Sequence, residues 1–102
     1  MSPVLDSYSC SELEQLWDSV GGNPDDAFIA AEIATAESGG NPYAVSPTDD
    51  IGLWQVNLPS WGPAMASTNP VVNARAAVTI SYDGSDWGPW TTYTSGAYIG
   101  RC

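Results

Sequence analysis

The chain has 102 residues, enough for one domain, and a net charge of −10, with Arg75 and Arg101 as its only cations. Without a basic patch, nucleic acid is excluded as an expected partner, and without any histidine neither a His-based triad nor a His-ligated zinc site can form. No apolar run is long enough to cross a bilayer, so membrane insertion is not expected.

Residues 1–10 read as a lead-in to a single domain over 11–102. The start, Met1-Ser2-Pro3-Val4-Leu5-Asp6, has neither a basic nor an apolar region of the signal-peptide kind. An extracellular role would then need another route: a larger parent protein, a phage particle or host lysis. Cys10 and Cys102 lie near the two ends. A small domain gains from a staple, and chain termini often lie close together, so a Cys10–Cys102 disulfide and an oxidising workplace are expected. The alternative is two unrelated free thiols. A catalytic cysteine would have no histidine to activate it.

Ser11 and Glu14 have capping-box spacing, which predicts a first helix from about Ser11 to Val20. Leu13, Leu16, Trp17 and Val20 form its buried face, and Gly21-Gly22 ends it. Asn23-Pro24-Asp25-Asp26 is a helix-start signature with acids on the positive end of the dipole. The second helix should run to Glu37 or Ser38 and stop at Gly39-Gly40. Its Ala27, Ala30, Ala31 and Ala34 allow a neighbour to approach closely, while Phe28, Ile29 and Ile33 supply bulk. Residues 41–68 read as loops and short elements around an extended or turn-rich Ile51–Asn57 segment. Asn69-Pro70 starts a third long helix to about Tyr82, with Val71, Val72, Ala74, Val78 and Tyr82 available for the core. The tail from Ser85 reads as a loop-rich flap. The fold class is therefore mainly α, with irregular loops and at most a short β segment.

Most of the acids have a plain role in solvation or capping, but Glu37 does not. It ends an Ala-rich helix where the dipole opposes a carboxylate, and apolar surroundings also favour its protonated form. Both effects suit a general acid. Glu37-Ser38-Gly39-Gly40-Asn41-Pro42-Tyr43-Ala44-Val45-Ser46, followed by Gly52-Leu53-Trp54-Gln55, resembles the signature of the soluble lytic transglycosylases over about twenty consecutive residues. The stretch from Asn69-Pro70 to Trp87-Gly88-Pro89-Trp90-Thr91-Thr92-Tyr93 resembles phage tail and lysin versions of that family.

This resemblance implies a lysozyme-like α domain whose Glu37 cleaves peptidoglycan. The glutamic acid protonates the oxygen between N-acetylmuramic acid and N-acetylglucosamine. It then takes a proton from the muramic acid 6-hydroxyl, which attacks the anomeric carbon and leaves a 1,6-anhydro end. By the same resemblance Gln55, Ser46 and Asn57 line the substrate site, with loop hydrogen bonding as their plainer role. Ser38 is expected to fix the turn after the helix. Two positions depart from the family pattern: Trp54 replaces the usual Met and would narrow the cleft or pack in the core, and Tyr93, with Tyr98 as fallback, stands for a tyrosine that bonds near the glutamate. Trp61, Trp87 and Trp90 are candidates for stacking on sugars.

A hydrolytic muramidase on the same fold would need a second carboxylate, for which Asp49 and Asp50 are the nearby candidates. An inactive glycan-binding virion module is the reading outside catalysis. No metal-ligand pattern appears and no cofactor is expected. The expected partner is the peptidoglycan glycan strand. The expected setting is extracellular or virion-associated, as a monomer within or cut from a larger protein that handles targeting.

Overall fold

The computed structural model describes residues 5–102 and is mainly helical. Helix α1 spans Cys10–Ser19, a single 3-10 turn Pro24–Asp26, and α2 Ala27–Ser38. Strands β1 (Asp50–Ile51) and β2 (Val56–Asn57) form an antiparallel hairpin pairing Asp50 with Asn57 and Ile51 with Val56. Helices α3 (Leu58–Trp61), α4 (Pro70–Ile80) and α5 (Thr91–Thr94) follow. The expected class, mainly α with irregular loops and a short β segment, is the one observed.

The start of α1 differs from expectation. The capping box is Ser9 with Glu12, not Ser11 with Glu14: Ser9 Oγ accepts from the Glu12 amide, and Glu12 Oε1 accepts from the Ser9 amide. The same motif fits both positions, and the helix starts at the earlier one, with Leu13 and Trp17 fully buried as expected. Of the lead-in, residues 1–4 lie outside the described residues, while Tyr8 already docks, its amide donating to Gly40 O at 2.8 Å.

The Ala face of α2 is buried as expected, so neighbours reach its backbone: the Trp54 indole donates to Ala30 O at 3.1 Å. Trp54 and Trp87 both pack against Trp17, at centroid distances of 6.3 and 5.4 Å, and Trp90 packs against Trp87 at 4.9 Å. Tilted contacts of this kind suit aromatic quadrupoles. Three residues expected in the core are at the surface: Phe28, Val71 and Tyr82. Phe28 and Val71 lie off the buried faces of α2 and α4, and Tyr82 lies just past the end of α4.

Asn73 joins α4 to the hairpin. It is fully buried, donates Nδ2 to Ile51 O and Ser67 O, and accepts the Trp54 amide at Oδ1. Gly52 makes room for it. A Cβ there would sit 2.5 Å from Asn73 Nδ2, and its φ of +78° favours glycine in any case. The C-terminal segment closes over α2. Buried Glu32 accepts the Gly100 and Cys102 amides, and the expected Cys10–Cys102 disulfide joins the segment to α1 with a Cα separation of 5.8 Å.

Candidate active site

Glu37 sits in the last turn of α2, which ends at left-handed Gly39. Ser38 fixes that turn as expected, donating Oγ to Ala34 O and accepting the Gly40 amide. The helix thereby holds the half-buried Glu37 carboxyl in a cavity of about 260 Å³. Gln55, Val56, Asn57 and Asp50 line it from the hairpin, Trp61 from α3, and Pro89 to Thr92 from the tail.

Burial is the largest influence on Glu37 and pushes its pKa up; the negative charge of Asp50 adds to this. The Thr92 hydroxyl, donating to Glu37 Oε2 at 2.8 Å, offsets part of the rise, as does the Thr92 backbone amide. The group is thus biased toward its protonated form, which a proton donor requires.

Asp50 is biased the other way. Burial pushes its pKa up, but hydrogen bonds from Thr48, Asn57 and Ser46 outweigh it and hold the carboxyl below its ordinary range. Its Oδ2 accepts from Ser46 Oγ and Thr48 Oγ1, each at 2.7 Å, and its Oδ1 from Asn57 Nδ2 at 2.9 Å. Two carboxyls with opposed protonation tendencies therefore line one cavity.

The structure brings together some of the candidate residues and separates others. Gln55 lines the cavity, its Nε2 donating to Ala44 O and Gly52 O. Asn57 lines it too, while its Oδ1 caps α3. Ser46 reaches the site through Asp50. Trp54, a candidate for substrate contact, does not reach it: the side chain is 0% exposed and belongs to the aromatic core, because its indole is drawn to Ala30 O. Tyr93 does not bond Glu37. It stacks on Tyr98 with centroids 5.1 Å apart, so neither tyrosine lines the cavity, and the neighbouring Thr92 makes the contact expected of Tyr93. Trp87 lies in the core, Trp90 is buried yet contributes to the cavity wall, and Trp61 is exposed there. Thr92 was missed because its only signal is adjacency to Tyr93.

The family model described as "Lysozyme like domain" matches residues 14–92. The chain belongs to this family. The matched span of the lysozyme-like domain runs from α1 to Thr92 and so contains Glu37, Asp50 and the residues between them. Membership supports a glycosidase-type enzyme acting on peptidoglycan, and the disulfide fits an oxidising, extracellular place of work. Among the described residues of the lysozyme-like domain, no helix is long and apolar enough to cross a membrane. Neither a curated protein nor a solved structure matches the chain.

Proposed function

We propose that the chain cleaves the β-1,4 bond between N-acetylmuramic acid and N-acetylglucosamine by lytic transglycosylation. The observation that carries this reading is Glu37, an acid whose pKa is raised by burial, at the wall of a cavity of about 260 Å³. Thr92 occupies Oε2, which leaves Oε1 to carry the proton. The proton passes to the bridging oxygen as the bond to the anomeric carbon breaks. The Glu37 carboxylate then accepts the proton of the 6-hydroxyl as that oxygen closes on the anomeric carbon. No water is consumed, and Glu37 ends protonated again.

Asp50, kept anionic by its hydrogen bonds, supplies negative charge against the positive anomeric centre. Gln55 and Asn57 contact the glycan, while Ser46 positions Asp50. Residues 11–102 form the catalytic unit, acting as a monomer on the cell wall from within a larger secreted or phage-borne protein.

Asp50 favours a second reading. A carboxylate in the same cavity as the acid is what a hydrolytic muramidase uses, and water would then replace the 6-hydroxyl as nucleophile. Mass spectrometry of digested peptidoglycan separates the two. Transglycosylation yields muropeptides lighter by one water than the hydrolytic products, and Glu37→Gln loses at least ~10²-fold in rate. Reducing ends of full mass would establish the muramidase instead. No products from several wall types would make the chain a glycan-binding module.

A further inference from the structure

Helix α2 carries two carboxyls with separate tasks. Glu37, near its end, lines the cavity. Glu32, earlier in the helix, is buried and bonds the C-terminal segment: its Oε2 accepts the Gly100 amide at 3.0 Å and the Cys102 amide at 3.4 Å. That segment leads back to the acid. The Tyr98 amide donates to Thr92 O at 3.1 Å, and the Tyr98 ring stacks on Tyr93. Thr92 Oγ1 in turn donates to Glu37 Oε2.

Little else holds the far end of α5. The helix has four residues, none of them buried, and no side-chain cap. Trp90 anchors its start, donating its indole to Trp54 O at 2.8 Å, but its end depends on the segment that follows. Residues 95–102 include no buried residue, and among them only Tyr98 packs against the hydrophobic core. Exposed hydrogen bonds at a chain end contribute little and fray. The covalent tie of the exposed Cys102 to Cys10 in α1 is what fixes the segment in place.

We infer that residues 95–102 are a latch that positions Thr92 on Glu37, and that the Cys10–Cys102 bond keeps the latch shut. Tyr98 is its positioning residue. The inference rests on the reading of Glu37 as the acid. A dithiol opens the latch: one thiolate attacks a sulfur of the pair, and the second thiol resolves the mixed disulfide. Cys10 and Cys102 leave as two thiols, while the dithiol becomes a disulfide. The enzyme is therefore restrained where its cysteines are kept reduced, and it reaches full rate once oxidised.

The Glu37 carboxyl is titrated by carbon-13 NMR in the oxidised chain and after reduction with dithiothreitol, each with and without Thr92→Val. In the oxidised chain Thr92→Val should raise the Glu37 pKa, because it removes a hydrogen bond to the carboxylate. In the reduced chain that effect should shrink by about half or more, since the bond is already loosened. Asp50 faces Glu37 from the hairpin, so its charge is common to every comparison. Oxidised Tyr98→Ala, which keeps the disulfide, should weaken the Thr92→Val effect in the same way.

An equal Thr92→Val effect in the oxidised and reduced chains would overturn the latch. If the reduced chain unfolds at the titration temperature, an equal effect with and without Tyr98→Ala overturns it instead. Peptidoglycan turnover, measured where both forms are folded, should fall about tenfold on reduction in the wild type and much less in Thr92→Val. Turnover that ignores reduction keeps the enzyme reading and removes the latch. Redox-dependent coupling in a chain without turnover keeps the latch and removes the enzyme reading.

Discussion

Thr92 and Glu37, 55 residues apart in sequence, meet through a 2.8 Å hydrogen bond in which the threonine hydroxyl donates to Oε2. The bond lowers the pKa of a carboxyl that burial and the Asp50 charge both raise. A proton donor loses activity as pH rises through its pKa, so under the proposed mechanism Glu37 should set the alkaline limb of the rate profile. Thr92→Val should move that limb to higher pH, and Asp50→Asn to lower pH. Thr92→Ser should restore the wild-type limb. Profiles of kcat against pH check this, and a shift of both variants in one direction would remove the proposed coupling.

The raised pKa of Glu37 has a stability consequence. The folded state holds this proton more tightly than the unfolded chain, so its contribution declines as pH rises from the ordinary carboxylate range through the raised value. At neutral pH the charged group therefore opposes folding. Glu37→Gln removes that opposition. Its melting temperature should exceed the wild-type value at neutral pH and converge with it below about pH 4. Scanning calorimetry at both pH values tests this, and a difference independent of pH would contradict it.

The disulfide spans a sequence separation of 92 residues and ties the C-terminal segment to α1. In the chain-entropy model a loop of that size contributes about 4–5 kcal/mol. Reduction should lower the melting temperature by about 10 °C or more in a domain of this length. A transition unchanged by reductant would show that the staple adds nothing.

Asn73 makes three hydrogen bonds with its side chain, all to backbone groups of the segments around the hairpin. Asn73→Ala leaves those groups without their partner in a buried setting. At about 1–3 kcal/mol each, the loss should be about 3 kcal/mol or more. Denaturant unfolding measures it. A loss under about 1 kcal/mol, within the range of an ordinary surface change, would show that water replaces the side chain.

Much of the fold was legible because local signals agree with one another. The Ala spacing of α2, its glycine stop and the Asn69-Pro70 start of α4 each act within a few residues. Errors arose where two local solutions compete. Ser9/Glu12 and Ser11/Glu14 both have capping-box spacing, and the folded chain forms the reciprocal hydrogen bonds at Ser9/Glu12. The apolar residues of α4 were legible as core candidates, but its buried face also includes Asn73, a polar residue that hydropathy assigns to the surface.

For the candidate site, the sequence by itself determined which acid stands out, the hairpin residues proposed to lie around it and the exclusion of histidine chemistry. These depend on residue identity and on spacing along one continuous stretch, Glu37 to Asn57. Only the tertiary structure decided that Trp54 is core, that Thr92 rather than Tyr93 bonds the acid, that Asp50 rather than Asp49 lines the cavity, and that Trp61 is the exposed ring. Each of those outcomes is a competition for the same interior volume or the same hydrogen-bond partner between segments far apart in the chain, and no local pattern records who wins it.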